Sequence, residues 1–329
     1  MLPIIDLSDL SSATGRDRLR AVTHEIGFFY LTGHGVSGDL LARLQRVTRE
    51  FFELPDDHKD AVRMIHSPHF RGYNRLGGEL TNGQTDWREQ IDIGVDREAI
   101  VDADGYMRLQ GPNQWPAGLP ELRSVVTEFD DAMSVVSLAL LQRWAQSLGS
   151  PPDLFDAAFG QEPATLIKLI RYPARQAGNN QGDQGVGAHK DSGVLTLLLV
   201  EEGSSGLQIE AADGRWIDAP PVDGAFIVNI GEMLEVATDG YLRATRHRVI
   251  TPVGAPERIS IPYFFSPALD AAIPSVALPA ELQNHARGIE RDPSNPLFAT
   301  YGENTWKSRT RAHPDVFERW YPTEAAARS

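Results

Sequence analysis

The stretch Gly185–Val200 reads "GVGAHKDSGVLTLLLV" and decides how the rest of the chain is interpreted. It places His189 and Asp191 two residues apart, directly before an unusually apolar run. Residues i and i+2 of a strand face the same way, so both side chains are predicted to point into one cavity. Burying these polar side chains costs desolvation energy unless they bind a partner there, and a metal ion is the commonest such partner. A buried His–Asp hydrogen bond explains the motif alone equally well.

A third candidate ligand is His247, which lies in "ATRHRVITP" at the start of another β-rich run. Two histidines and one carboxylate on one face of a metal form the facial triad of non-haem Fe(II) oxygenases. That arrangement leaves open positions for a bidentate cosubstrate and then O₂. The remaining histidines lie mostly in polar or helical contexts and are predicted to be at the surface, and His34 in "TGHGV" is interpreted as a turn residue.

A second pair of polar residues at strand spacing is Arg258 and Ser260 in "ERISIPYFF". An arginine offers a charge-assisted and often bidentate contact to a carboxylate, and a serine adds a hydroxyl. Both residues share one face of an otherwise apolar strand, which favours a carboxylate receptor inside a barrel. The alternative is a surface arginine beside a small polar residue.

Composition excludes several other classes of protein. The formal net charge of −14 argues against non-specific binding to nucleic acid, because an anionic surface repels phosphates. The absence of cysteine excludes disulfides, thiolate metal sites and cysteine nucleophiles, so a metal site must use His, Asp or Glu. No stretch reaches the length of a membrane span, and "MLPIIDLSDL" lacks the pattern of a signal peptide, so we expect a cytoplasmic enzyme.

Hydrophobic periodicity divides the chain into two textures. The segments 37–55 and 120–148 carry apolar residues at helical spacing and are predicted to be helices. After Ala164, short β-rich runs alternate with Gly, Pro and Asp, which favours a closed or double-sheet β architecture. The polar stretch Ala177–Gly185 is predicted to be a mobile loop near the mouth of the cavity.

Over nearly its whole length the sequence resembles the isopenicillin N synthase-like family of Fe(II)/2-oxoglutarate oxygenases. The motifs that carry the resemblance include "PIIDL", "GFFYLTGHGV", "FFELPDDHK", "RGYNRLGGE", "GPNQWP", "LIRYP", "HKDSGVLTLLL", "NIGEMLEVATDGYLRATRHRV", "RISIPYFFSP" and "HPDV". The resemblance implies a mixed α and β fold, with a double-stranded β-helix (jelly roll) core wrapped by helices. It predicts one domain over residues 1–329: a mainly helical part to about 160, the core at about 165–270 and a C-terminal extension at about 271–329.

The resemblance also assigns residues to the cosubstrate. Arg258 and Ser260 match the Arg-x-Ser pair that holds the distal carboxylate of 2-oxoglutarate, and Tyr172 in "LIRYP" matches a tyrosine that contacts cosubstrate or substrate. Ile170 departs from the family pattern, because plant-type members have Asn there and so one more hydrogen-bond donor. The candidates for lining the substrate pocket are Arg71, Tyr73, Phe264 and Trp306.

The expected activity is hydroxylation, desaturation or ring closure of a small-molecule metabolite, with release of succinate and CO₂. Fe(II), 2-oxoglutarate and O₂ are the expected cofactor and cosubstrates, and no nucleic acid or membrane partner is expected. The sequence does not determine the oligomeric state. Two alternatives to this function stay open at this point. One is an oxidase of the isopenicillin N synthase kind that uses no 2-oxoglutarate, and the other is a non-catalytic metal-binding jelly roll.

Overall fold

The structure is a computed structural model that describes residues 1–160, 162–175, 182–289, 293 and 295–328. Its longest helices lie in the N-terminal half, and further helices follow the last strand. In chain order the helices are α1 (Ala13–Glu25), α2 (Gly38–Glu53), α3 (Asp56–Asp60), α4 (Glu121–Ser147), α5 (Asp156–Phe159), α6 (Glu232–Ala237), α7 (Ala280–Gln283), α8 (Tyr301–Ala312), α9 (Pro314–Trp320) and α10 (Pro322–Arg328).

The strands are concentrated between residues 166 and 265, as the sequence predicts. In chain order they are β1 (Ile4–Asp6), β2 (Phe28–Thr32), β3 (Gly72–Asn74), β4 (Leu80–Thr81), β5 (Gln84–Thr85), β6 (Glu89–Gly94), β7 (Leu166–Tyr172), β8 (Gln184–His189), β9 (Leu195–Val200), β10 (Leu207–Glu210), β11 (Trp216–Asp218), β12 (Phe226–Ile230), β13 (His247–Ile250) and β14 (Arg258–Phe265).

Two sheets of the described residues form the core. The large sheet has the strand order β1-β2-β12-β9-β14-β7-β6-β3, and the small sheet has the order β11-β10-β13-β8. Pairing within them is antiparallel except between β1 and β2. The sheets face each other, since Ile170 and Ile227 of the large sheet pack in one buried cluster with Val186, Ile209 and Val249 of the small sheet. The predicted mixed α and β jelly roll is confirmed.

Helices α1, α2 and α4 pack on the large sheet through their buried apolar residues. In α4 the predicted apolar stripe is buried from Leu122 to Trp144, and the helix packs against α1, α2 and β14. Helix α2 ends at Glu53, because Leu54 precedes Pro55 and a proline disfavours helical backbone angles in the residue before it. These contacts join the helices and the large sheet in one hydrophobic cluster.

The predicted loop Ala177–Gly185 is wrong at its C-terminal end. Gln184 and Gly185 begin β8, where Gln184 pairs with Ile250 of β13. Gly185 fits there because a side chain would press on Val249, at 2.8 Å from an added Cβ atom. Cross-strand pairing thus overrides the turn propensity of this polar segment. Residues 182 and 183 lie outside any helix or strand, as predicted, and residues 177–181 lie outside the described residues.

Among the described residues, no helix combines the length and the apolar character that a membrane crossing requires.

Candidate active site

The three predicted metal ligands lie together at one end of the small sheet. His189 is the last residue of β8 and His247 the first of β13, and the two face each other directly in the strand register. Their Nε2 atoms are 3.4 and 3.7 Å from Oδ1 of Asp191. One ligand atom from each residue lies within 4.8 Å of the others. Three neutral or anionic donors at such distances can share one metal ion.

Asp191 reaches this cluster from a turn and not from the strand that the sequence predicts. Strand β8 ends at His189, and the following residues 190–194 connect it to β9. The run "KDSG" at 190–193 is rich in turn-forming residues, which end the strand ladder. Backbone contacts hold the turn, because the Glu232 N–H donates to the Asp191 carbonyl at 2.8 Å. The carboxylate is therefore placed by the turn.

Backbone and side-chain partners orient each candidate ligand. Nδ1 of His189 lies 2.8 Å from the Gly187 carbonyl, and Nδ1 of His247 lies 3.1 Å from the Thr245 carbonyl. A carbonyl only accepts, so in the neutral rings Nδ1 donates and Nε2 keeps its lone pair for a metal.

The carboxylate is oriented in the same manner. Oδ2 of Asp191 accepts hydrogen bonds from Thr196 Oγ1 at 2.6 Å and from Asn229 Nδ2 at 2.7 Å. Its Oδ1 is left facing the imidazoles. This donor set, with second contacts that fix ring tautomer and carboxylate orientation, fits a divalent iron.

The protonation states of Asp191 and His247 also suit a metal. Burial lowers the pKa of His247 to about 4, and the neighbouring His189 adds to that effect. Burial opposes the charge on Asp191, but the two imidazoles outweigh it, so the pKa of this carboxyl is lowered. Burial likewise disfavours protonated His189, but Asp191 outweighs it and raises the pKa of His189. Asp191 is therefore ionised and His247 neutral at pH 7, which are the forms that bind metal.

A cavity of about 820 Å³ adjoins the three ligands and lies between the two sheets. The large sheet lines it with alternate residues of two strands, as expected for side chains on one face. These are Leu166, Lys168, Ile170 and Tyr172 of β7 and Ser260, Pro262 and Phe264 of β14. Helix α8 lines it from another side, so the C-terminal segment contributes to the wall.

Arg258 is buried beside this cavity, with 6% of its surface exposed. It faces Tyr172 in the strand register, and its guanidinium lies 4.2 Å from the centroid of the Tyr172 ring. Its Nη2 is buried and has no hydrogen-bond partner among the described residues. Tyr172 separates the large cavity from one of about 310 Å³ that Arg258 lines. Ser260, two residues on, faces Ile170 across the strands.

An unpartnered guanidinium that is buried beside a serine hydroxyl fits one end of a dicarboxylate, since a buried donor without an acceptor is costly. Ile170 offers only an aliphatic surface to Ser260, as the sequence indicated.

Of the four residues predicted to line the substrate pocket, only Phe264 lies in the cavity wall. Tyr73 is buried against Phe51 and donates to Glu89 Oε2 at 2.5 Å. Arg71 is held by the carbonyls of His69 and Leu109. Trp306 packs against aromatic rings of the C-terminal helices. Arg71, Tyr73 and Trp306 do not line this cavity, because tertiary packing directs their side chains elsewhere, and a substrate role for them stays a prediction.

Sequence reasoning missed a group of charged side chains in the cavity wall. Glu79 accepts from Arg88 Nη2 at 2.8 Å and from Lys168 Nζ at 2.7 Å, and all three residues are buried. Lys168 gave a signal, since it stands in the apolar run "TLIKLIRYP" on the same face as Tyr172. His313 corrects another expectation, because it is fully buried and not at the surface.

A jelly roll with two histidines and one carboxylate at its cavity is the arrangement that defines non-haem Fe(II) oxygenases. Comparison with known families supports this class and narrows it. The profile of the 2OG-Fe(II) oxygenase superfamily matches residues 164–267, and that of the "non-haem dioxygenase in morphine synthesis N-terminal" family matches residues 2–118. The chain belongs to the 2OG-Fe(II) oxygenase superfamily.

Individual relatives agree with this membership. The chain is 35% identical to the 2-oxoglutarate-dependent dioxygenase frbJ of Dothideomycetidae sp. (strain 11243), over 98% of this chain and 92% of the relative. It is 33% identical to a homoarginine-6-hydroxylase of Glycine max, over 92% of this chain and 94% of the relative. A Neurospora crassa protein solved in complex with alpha-KG superimposes with a TM-score of 0.75 at 25% identity, over 94% and 96% of the two chains.

The protein is therefore an Fe(II)- and 2-oxoglutarate-dependent dioxygenase with O₂ as cosubstrate, and the predictions of class and cofactors are confirmed. Its relatives act on small molecules. Neither the oxidase without 2-oxoglutarate nor the non-catalytic jelly roll finds support in these comparisons.

Proposed function

We propose that the protein hydroxylates a small-molecule metabolite, with His189, Asp191 and His247 as the iron ligands. In the same proposal Arg258 and Ser260 bind the distal carboxylate of 2-oxoglutarate, and Tyr172 contacts the cosubstrate. The observation that carries the proposal is the convergence of both histidine Nε2 atoms on Oδ1 of Asp191, at 3.4 and 3.7 Å. Hydroxylation is favoured over desaturation and ring closure because relatives include homoarginine-6-hydroxylases.

The bound iron and 2-oxoglutarate supply the oxidising chemistry, which releases succinate and CO₂. The chain supplies orientation and a dry site. Gly187 and Thr245 fix the histidine rings through Nδ1, so Nε2 needs no rearrangement when metal binds. Phe28 packs edge-on against His247 at 5.3 Å and shields that ligand from water. Arg258 holds one end of the diacid and so fixes the direction of its other end.

We propose too that residues 1–329 act as one domain. The support is a hydrophobic cluster that both halves of the chain share, in which Phe51 and Trp144 of the helices belong with Leu197 and Tyr263 of the large sheet and with Phe317 of α9. Such continuous burial gives the helical half no separate core. The oxygenase chemistry is accordingly expected to require the whole chain.

The test is succinate formation by the purified full-length chain supplied with Fe(II), 2-oxoglutarate and O₂. We expect slow succinate release without substrate and faster release when a screened metabolite fits the cavity. Asp191→Asn keeps the size of the side chain and should abolish both activities, while Asp218→Asn, an exposed carboxylate of β11, should change neither. Consumption of O₂ without succinate would instead indicate an oxidase. Absence of both would contradict the proposal.

A further inference from the structure

Two cations in the cavity wall share one buried counter-ion. Lys168 of β7 has Nζ 3.8 Å from Oδ2 of Asp92, and Arg309 of α8 donates from Nη1 to the same oxygen. Asp92 faces Lys168 in the strand register, and its side chain is fully buried. Both cations line the cavity, as does Glu79, which accepts a hydrogen bond from Lys168, whereas Asp92 lies behind the wall. The wall therefore presents a guanidinium whose carboxylate partner lies outside the cavity, beside an ammonium and its own carboxylate partner.

Both cations also have spare hydrogen-bond donors. Among the described residues, the Lys168 ammonium makes one hydrogen bond, to Glu79 Oε1 at 2.7 Å, because Asp92 is beyond hydrogen-bond distance. The Arg309 side chain makes one, to Asp92. An ammonium has three N–H donors and a guanidinium has five. Six of these eight N–H groups therefore have no acceptor among the described residues, although each residue is less than one-tenth exposed.

In the proposed function the cosubstrate is not that acceptor. Lys168 is four residues along β7 from Tyr172, which faces Arg258, so the strand separates them by about 13 Å. A five-carbon diacid spans about 5 Å between its carboxyl carbons, as its four bonds of about 1.5 Å dictate. The carbon chain of a 2-oxoglutarate held by Arg258 is shorter than this separation, and in the proposed function its other end lies at the iron. The space beside Lys168 and Arg309 is left to the substrate.

A purely structural role accounts less well for this arrangement. Buried ion pairs contribute little net stability, because desolvation offsets their attraction. The formal net charge of the chain is −14, yet the side chains around this cavity include six Lys and Arg against three Asp and Glu. One of those acids is Asp191, which the iron would neutralise. The counter-ions Asp86, Asp92 and Glu235 lie behind the lining, so the charged groups that face a ligand are mostly cationic.

We propose that the substrate carries a carboxylate and that Lys168 and Arg309 bind it, at the end of the cavity away from Arg258. The inference rests on the proposed oxygenase function, since it concerns the substrate of that same site. Lys168 fixes the carboxylate to the large sheet and Arg309 fixes it to α8. The bound carboxylate consequently joins α8 to the barrel and leaves the rest of the substrate directed toward the iron ligands.

The experiment compares small carboxylates with their carboxamides as activators of succinate release by the full-length enzyme. The probes are L-homoarginine, indole-3-acetate and benzoate, each paired with its carboxamide, with thymine as a neutral polar probe. We expect a carboxylate, and not its carboxamide, to change the rate of succinate release. In Lys168→Met the KM for that carboxylate should rise at least tenfold, because a charge-assisted hydrogen bond is lost. The KM for 2-oxoglutarate should stay within about twofold.

Matched variants separate recognition from folding. The double variant Glu79→Gln/Lys168→Met removes both members of an ion pair and so leaves no unbalanced buried charge, and it should bind the carboxylate as weakly as Lys168→Met. Lys168→Arg keeps the cation and should restore binding. Lys307→Met is the control, because it removes a cation from the same helix and cavity whose Nζ already donates to the Pro296 carbonyl.

Several results would overturn the inference while leaving the oxygenase assignment intact. They are carboxamides or thymine acting as well as carboxylates, no carboxylate changing succinate release at any concentration, a rise in the KM for 2-oxoglutarate in Lys168→Met, or an equal loss in Lys307→Met. A wild-type enzyme that releases no succinate in any condition would contradict the proposed function itself. The two failures are thus distinguished by uncoupled turnover.

Discussion

Replacement of Arg258 by glutamine tests how 2-oxoglutarate is held. Arg258 is buried and lies over the Tyr172 ring, and its Nη2 has no partner among the described residues. If that nitrogen binds the distal carboxylate, Arg258→Gln loses a charge-assisted bond in a site of low dielectric. Such a loss costs about 2–5 kcal/mol, which corresponds to a rise of about thirtyfold or more in the KM for 2-oxoglutarate. Glutamine keeps an amide donor but cannot supply the charge.

Stability should move differently from function in this variant. Burial lowers the pKa of Arg258, and no salt bridge to it occurs among the described residues, so its removal leaves no carboxylate unpaired. We therefore expect the free energy of unfolding of Arg258→Gln to equal or exceed that of the wild type. Loss of cosubstrate affinity without loss of stability distinguishes a binding role from a structural one.

The assay is uncoupled succinate release as a function of 2-oxoglutarate concentration, with urea denaturation in parallel. Arg248→Gln is the matched control, because Arg248 lies 4.1 Å from the centroid of the Trp216 ring and donates to Gln208, away from the cavity. It should leave the KM unchanged. An unchanged 2-oxoglutarate dependence in Arg258→Gln would refute the assignment of this arginine.

Three further predictions concern the ligands and one buried histidine. His189→Ala or His247→Ala should abolish iron binding and turnover with the circular dichroism spectrum preserved; full iron content and activity in either would refute its role. Asn229→Leu removes a 2.7 Å hydrogen bond to Asp191 and should weaken iron binding about 10- to 100-fold, which metal titration would show. Burial lowers the pKa of His313 from 6.5 to about 4, so the unfolded chain binds more protons below pH 6.5. The free energy of unfolding should therefore fall by about 2 kcal/mol between pH 7 and pH 5, as the unfolded chain takes up this proton. Urea denaturation at the two pH values should show a smaller fall in His313→Gln.

Local sequence patterns predicted the fold because its elements are locally consistent. The short apolar runs after Ala164 became strands, and the 27 residues of α4 carry one apolar stripe along their length. The metal cluster was predictable because His189 and His247 each stand at the end of such a run. Asp191 shows the limit, since turn residues and backbone contacts place it where strand alternation alone would not.

The end of the cavity formed by Lys168 and Arg309 was not predictable, because it forms only when distant segments meet. Arg309 and Asp92 are 217 residues apart in the chain but form a hydrogen bond in the folded protein. Trp306 looked available for a substrate, yet it packs among other aromatic rings. The sequence pattern does not show which side of α8 faces the barrel. The tertiary structure was needed to show that Arg309 lines the cavity and Trp306 does not.

The division of the site between two sheets has a consequence for how such an enzyme diversifies. Both histidines of the proposed iron site belong to the small sheet, whereas Arg258, Ser260, Tyr172 and Lys168 belong to the large one. An exchange of residues along β7, or of the helix that faces it, can alter recognition without disturbing the strand pair that carries the imidazoles. The residues proposed to recognise ligands and the histidines proposed to bind iron thus lie on different sheets. Substitutions on the large sheet can therefore change the substrate while the iron site stays the same.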